Sequence, residues 1–105
     1  MTKPLTVSEA AETDIEAAVE WYDTRAPGLG NALIAQVNSI YENIREFPDM
    51  HQVAFANVRK APVDHFPYAV VYRALPTVIE VIGVFPCRAD PKRLARRATA
   101  TGVIQ

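Results

Sequence analysis

Residues 66–85 read FPYAVVYRALPTVIEVIGVF, and this stretch decides the fold class. Its first half, Phe66 to Leu75, is rich in aromatic and β-branched residues. Its second half, Val78 to Phe85, is almost entirely apolar, as is typical of a strand buried on both faces. Pro76-Thr77 separates the two runs and therefore predicts a tight antiparallel hairpin.

The N-terminal half of the chain has the periodicity of two amphipathic helices. Ser8 can cap the first helix, the segment 26–30 (APGLG) interrupts the pattern, and Pro48 ends the second helix. Because the connection is short, the two helices are expected to form an antiparallel hairpin. Apolar residues recur at spacings of three and four in two stripes: Ala11, Ile15, Ala18, Val19 and Tyr22, then Leu33, Val37, Ile40, Tyr41, Ile44 and Phe47.

The remaining segments complete the predicted architecture. Pro4 to Val7 is typical of an edge strand, and Val53 to Val63 forms a less regular strand that Pro62 weakens. The order β-α-α-β-β-β predicts an α+β fold, with an N-terminal edge strand and an antiparallel helical hairpin packed on a mostly antiparallel sheet. We expect a single domain over residues 1–94 and a basic-to-polar C-terminal tail over residues 95–105.

Charge is divided unevenly along the chain, although the net charge is only −1. Residues 1–50 hold nine acidic and three basic side chains, a balance of −6. Residues 51–105 hold three acidic and eight basic side chains, a balance of +5. This asymmetry is typical of a basic face that meets nucleic acid or an acidic protein partner. Two oppositely charged faces that contact only solvent are the alternative.

Cysteine content and hydropathy indicate the compartment. Cys87 is the only cysteine, so no intramolecular disulfide can form, which favours a reducing environment. No apolar run approaches the roughly 18 residues that span a bilayer, and the N-terminus lacks the pattern of a signal peptide. We therefore expect a cytoplasmic protein without membrane contact. No second Cys or His accompanies Cys87, so the sequence predicts neither a metal site nor another cofactor.

Three stretches, taken in order, resemble the RelE/ParE superfamily of bacterial toxins. The first is WY at residues 21–22 with PGLG at 27–30. The second is VRK at 58–60 with FPYAVVYR at 66–73, and the third is VFPCRADP at 84–91. Their order and spacing account for most of the chain, in the element order predicted above.

The resemblance implies a toxin of a type II toxin–antitoxin system, associated with growth inhibition and plasmid stabilisation, that a cognate antitoxin holds inactive by wrapping around it. Members are of two kinds: ribosome-dependent mRNA endonucleases, and ParE-type proteins that poison DNA gyrase without cutting RNA. Many relatives have a histidine at the position of Pro86 and an arginine at the position of Ala89. Both departures count against an enzyme.

A nuclease of this kind needs a general base, a general acid and cations around the phosphate. The candidate catalytic residues are Arg59, Arg88 and His65, and no Tyr or His follows Tyr72 to act as a base near the C-terminus. His51 is the other group that titrates near neutral pH. Pairing of Arg59 with an acid of the helical hairpin, and a solvated loop position for His65, are the alternatives.

A wider set of residues is predicted to contact the target or the antitoxin. Trp21 cannot share the centre of a helical stripe with Tyr22, so it is expected at a boundary or on the surface, where Trp anchors protein contacts. The alternatives are packing of Trp21 at the hairpin edge, local pairing of Arg88 with Asp90, and a solvated tail. The full set is Trp21, Arg59, Arg73, Arg88, Asp90, Arg93, Arg96 and Arg97.

Taken together, these features favour a ParE-like growth inhibitor that binds a protein target, DNA gyrase, and is neutralised by an antitoxin. One alternative is a RelE-type endoribonuclease that acts on mRNA at the ribosome, with Arg59 and Arg88 clamping the phosphate. The other is an inactive relative that only binds the antitoxin. The missing histidine and C-terminal tyrosine favour binding over catalysis.

Overall fold

A five-stranded sheet with helices on both faces forms the computed structural model, which describes residues 3–100. The elements are β1 (Leu5–Val7), α1 (Glu9–Arg25), α2 (Leu29–Glu46), β2 (Gln52–Phe55), β3 (Val58–Pro62), β4 (Tyr68–Ala74), β5 (Ile79–Pro86) and α3 (Pro91–Ala100). The strand order is β1-β5-β4-β3-β2, and only the β1–β5 pair is parallel. The predicted α+β fold is confirmed. None of the helices in residues 3–100 has the length and apolar character to cross a membrane.

Local chemistry sets the ends of the helical hairpin formed by α1 and α2. The Ser8 hydroxyl caps α1 by accepting a hydrogen bond of 3.1 Å from the backbone N–H three residues later. Gly28 precedes α2 with φ of 90°, a left-handed conformation that glycine adopts without strain. At Gly30 the helices approach so closely that an added Cβ would lie 2.7 Å from the Val19 side chain. Glycine is therefore required at the end of the turn and again in the first turn of α2.

The main core lies between the helical hairpin and one face of the sheet. Val37 and Val81, which represent the helical stripe and the central strand, are 2% and 0% exposed. Burial extends along the same stripe and both central strands: Leu33, Val70, Tyr72 and Val84 are buried, and Ile40 is partly buried. The apolar stripe thus identified the inner face of α2, except for Phe47 at its C-terminal end, which is 46% exposed; the two apolar runs identified the central strands β4 and β5.

A β-bulge lets β5 serve both faces of the sheet. The register with β4 shifts at Ile82, which has no partner residue opposite it. As a result, Val81 and Val84 both belong to the core under the helical hairpin, whereas Ile82 and Phe85 belong to a second core under α3. An extra residue reverses the alternation of side chains along a strand. The continuous apolar run of β5 is thereby explained by helices on both sides.

The segment expected to form one strand from Val53 to Val63 forms two. The chain turns at Ala56-Asn57, where Ala56 takes φ of 46°, and strands β2 and β3 form an antiparallel hairpin. Ala-Asn is not among the pairs that mark two-residue turns most strongly, such as Asn-Gly or Asp-Gly, so the turn carried little signal in the sequence.

Helix α3 is the second difference from expectation. Residues 95–100, placed at the start of a C-terminal tail, continue the helix that begins at Pro91. The helix buries Leu94 and Ala98 against the second core. The rest of the expected tail, residues 101–105, lies outside the described residues.

Two charged side chains close the edge of β5 beyond the end of β1. Strand β1 pairs with β5 only as far as Val81. Beyond that point, Asp14 of α1 accepts from the Val84 N–H at 3.0 Å, and Arg97 of α3 donates to the Ile82 carbonyl at 3.0 Å. The carboxylate and guanidinium also form an ion pair at 2.7 Å. The pair replaces the missing strand and joins α1, β5 and α3.

Candidate functional site

Trp21 and Arg88, two predicted contact residues from distant parts of the chain, line one open pocket. Its volume is about 430 Å³, which lies within the usual range for ligand sites. The remaining walls, which complete what we call the aromatic pocket, are aromatic rings and prolines: Tyr22, Pro67, Tyr68 and Pro86. A cation thus stands at the rim of an apolar cavity.

Helix α1 positions the rings of the aromatic pocket. Tyr22 packs edge-to-face against Phe66 with ring centroids 5.1 Å apart, which fixes it to the sheet side. Trp21 packs edge-to-face on Tyr22 at 4.9 Å and stays 48% exposed. The guanidinium of Arg25 lies 3.3 Å from the centre of the Trp21 ring. Trp21 is therefore an accessible ring that its neighbours hold in place.

The turn between β5 and α3 presents Arg88 at the pocket. The Cys87 N–H donates to the Pro67 carbonyl at 2.9 Å, which fastens this turn to the loop between β3 and β4. Asp90 caps α3, because its carboxylate accepts from the Lys92 N–H at 2.9 Å. Among residues 3–100, Asp90 and Arg88 form no ion pair. Arg88 itself is exposed.

Arg59 holds the loop between α2 and β2. Its guanidinium donates to the carbonyls of Asp49 and His51 at 3.2 and 2.7 Å. The Tyr72 hydroxyl donates to the Pro48 carbonyl of the same loop at 2.6 Å. Burial raises the pKa of Tyr72 to about 12, while burial and then the Arg59 charge lower the pKa of His51. At neutral pH the Tyr72 and His51 side chains are therefore uncharged. The partners of Arg59 are backbone carbonyls rather than an acidic side chain of the helical hairpin.

Two of the predicted contact arginines lie inside the fold. Arg73 is only 5% exposed; it pairs with Glu80 at 2.8 Å and donates to the Ala98 carbonyl at 3.3 Å. Arg97 pairs with Asp14 at the edge of β5. Both arginines fasten α3 to the sheet, a role that a count of charges along the sequence cannot reveal.

The other two arginines of α3 lie at the surface. Arg93 and Arg96 line a shallow basic crevice beside Phe85. The Arg93 guanidinium is 5.3 Å from the centre of the Phe85 ring. The predicted basic face of the C-terminal segment therefore exists, and it is formed by the outer side of a docked helix.

His65 lies apart from the other candidate catalytic residues. It is exposed in the loop between β3 and β4, with φ of 70°. It lines a neighbouring pocket that shares Tyr22 and Pro67 with the aromatic pocket but does not include Arg88. Arg59 lies at a third place, against the loop of residues 47–51.

A groove on the outer side of the helical hairpin was missed in the sequence. We call it the hairpin groove; its apolar floor includes Ile15, Val19 and Ile34, and its rim is acidic, with Glu16, Glu20 and Asp23. Ile34 is 38% exposed and follows Leu33, outside the apolar stripe. An isoleucine off the stripe was the signal that could have identified this surface.

A match to a protein family spans the elements that form these surfaces. Residues 5–91 match the family model described as the ParE toxin of the type II toxin–antitoxin system, parDE. The chain belongs to the ParE toxin family. The matched segment includes every residue of the aromatic pocket and ends at the first residue of α3. Membership in a toxin–antitoxin family implies an antitoxin partner.

A solved structure shares the ParE fold. It is described as the chromosomal ParDE TA system from P. aeruginosa, and the similar chain in it superimposes with a TM-score of 0.72 at 12% sequence identity. The alignment covers 81% of this chain and 96% of that one. Identity this low supports the fold alone. No curated protein matches the sequence. The predicted membership in the ParE branch is confirmed by the family match.

Proposed function

We propose that this ParE family member is the toxin of a type II toxin–antitoxin pair, and that it stops growth by binding DNA gyrase. The observation that supports this most is the aromatic pocket, where Trp21 is exposed beside Arg88. Exposed Trp, Tyr and Arg dominate the affinity of protein interfaces. The pocket is therefore suited to an apolar side chain of the target, with Arg88 paired to a neighbouring carboxylate.

The antitoxin is proposed to use the hairpin groove. An apolar floor between two helices accepts one amphipathic helix through anchors spaced by three and four residues. Because Glu16 and Glu20 lie on its rim, basic residues should flank those anchors. The basic C-terminal half, with its balance of +5, should instead attract an acidic segment of the antitoxin. Because the toxin has an acidic groove and a basic C-terminal half, the antitoxin should carry both basic and acidic segments.

Expression of the toxin gene without an antitoxin should slow bacterial growth and induce the DNA-damage response, while messenger RNA stays intact. Gyrase that is poisoned on DNA leaves breaks, whereas an endoribonuclease leaves cut transcripts. Growth rate, a damage-response reporter and mapped RNA ends measure the three effects. Co-expression of the antitoxin should restore growth.

The control for this experiment is a Trp21→Ala variant produced at the same level. Ribosome-dependent cuts within codons would instead establish the endoribonuclease. Unimpaired growth with folded, soluble toxin would favour the inactive relative that only binds an antitoxin.

A further inference from the structure

The outer face of α3 carries basic side chains and no acidic ones. Lys92, Arg93 and Arg96 are exposed, whereas Leu94 and Ala98 point into the second core. None of the residues of α3 from Pro91 to Ala100 is acidic. Three exposed cations thus lie within two turns of one helix, and the Arg93 guanidinium also lies over the Phe85 ring of β5.

The cations on this face differ from the other arginines of the C-terminal half. Arg73 and Arg97 are matched by Glu80 and Asp14 in ion pairs that build the fold. Within residues 3–100, Lys92, Arg93 and Arg96 take part in no ion pair. No ion pair of the described residues therefore neutralises their charge.

We propose that this outer face of α3, formed by Lys92, Arg93 and Arg96, binds the phosphate backbone of duplex DNA. The inference rests on the proposed function and extends it, since gyrase acts on duplex DNA. The toxin would then recognise gyrase and its DNA together, with the aromatic pocket on the protein and α3 on the phosphates.

For a toxin that is free of its antitoxin, the composition of this face favours nucleic acid over a second protein partner. A protein interface needs an apolar core, usually with aromatic anchors. No large apolar side chain is exposed on α3; the exposed ones in residues 3–100 are Trp21, Ile34, Phe47, Met50 and Val53. Phosphate binding requires only cations, because it is driven largely by the release of counterions.

The way α3 is docked predicts how it would bind. The helix is ten residues long, or roughly 15 Å, and its inner side is packed on the sheet. A helix held in this way cannot enter the major groove to its full depth, so its cations should contact the backbone. Backbone contacts carry no sequence information. Binding should therefore not depend on the DNA sequence.

A fluorescence anisotropy titration of a labelled duplex with purified toxin tests the proposal without gyrase. With three phosphate contacts, the logarithm of the affinity should fall with the logarithm of salt concentration at a slope of about −2.7, roughly a 40-fold loss from 50 to 200 mM salt. The double variant Lys92→Gln/Arg96→Gln should reduce the slope to about −0.9. Both residues are exposed and belong to neither core, so the variant should fold normally.

The matched control is Lys3→Gln/Arg45→Gln, which removes the same charge outside α3 and the aromatic pocket and should leave the slope unchanged. The proposal is overturned if the toxin does not bind duplex DNA at 50 mM salt. It is also overturned if the control variant loses as much affinity for duplex DNA as the α3 variant does. Tighter binding to single-stranded RNA overturns it too. The proposal is also overturned if the α3 variant binds the antitoxin more weakly but binds duplex DNA as tightly as the unmodified toxin does. Because gyrase is absent, failure of the gyrase assignment leaves this result unaffected.

Discussion

The Asp14→Ala variant should lose about 3 kcal/mol of its free energy of unfolding, the largest effect on stability that we expect from a single polar side chain. The substitution leaves the Val84 N–H without its acceptor at 3.0 Å and leaves the Arg97 guanidinium without its partner at 2.7 Å. Both groups are largely buried, so water compensates only in part. For a domain of this size, the melting temperature should fall by roughly 10–20 °C.

Chemical denaturation of three proteins measures this prediction. Asp14→Asn can still accept from the backbone N–H of Val84 and should lose less stability. Glu16→Ala removes the same charge from the exposed side of α1 and should change stability by less than about 0.5 kcal/mol. If Asp14→Ala is no less stable than Glu16→Ala, the edge of β5 is not held by the Asp14–Arg97 pair.

The Trp21→Ala variant should bind gyrase at least about 30-fold more weakly, because a central Trp contributes about 2 kcal/mol or more to an interface. The ring is 48% exposed and packs mainly on Tyr22 and Arg25, so the fold should be retained. The measurement is the toxin concentration that half-inhibits DNA supercoiling, with thermal unfolding as the check on folding.

Met50→Ala is the matched control for Trp21→Ala. Met50 is 77% exposed and lies in the loop after α2, away from the aromatic pocket. Its loss should change gyrase inhibition by less than about twofold, as is usual for surface substitutions. Equal inhibition by the Trp21 and Met50 variants would place the gyrase contact outside the aromatic pocket.

Much of the fold could be predicted from the sequence because three signals agree. The helical stripes, the turn at Pro27-Gly28 and the apolar strand pair all require one packing arrangement, and the burial of Val37 and Val81 confirms it. Elements with strong periodicity are specified locally, since their apolar faces must be covered by something. The hairpin and the central strands follow from that requirement.

The features that the sequence did not reveal depend on tertiary context. The bulge at Ile82 is visible only once β4 and β5 are in register. Helix α3 is short, and its apolar residues are few, so its stability comes from Leu94 and Ala98 docking on a sheet formed elsewhere. At the turn between β2 and β3, the left-handed conformation is adopted by Ala56, a residue type that rarely adopts it.

The candidate site could be predicted only in part, because its assembly also depends on tertiary context. Residue type identified Trp21 and Arg88 as contact residues, but only the fold brings them to one pocket. Residue type also selected Arg73, which lies almost fully inside the protein beside Glu80. A basic side chain in a sequence does not show whether an acid of a neighbouring strand already neutralises it.

Inhibition of purified gyrase distinguishes DNA gyrase from the ribosome as the target of the toxin. Relaxed plasmid, gyrase and ATP are incubated with increasing toxin, and ribosomes with a messenger RNA are treated in parallel. We expect that supercoiling declines, that cleaved plasmid accumulates, and that the messenger RNA remains whole. Full supercoiling in the presence of excess folded toxin, together with messenger RNA cut on the ribosome, would contradict this expectation.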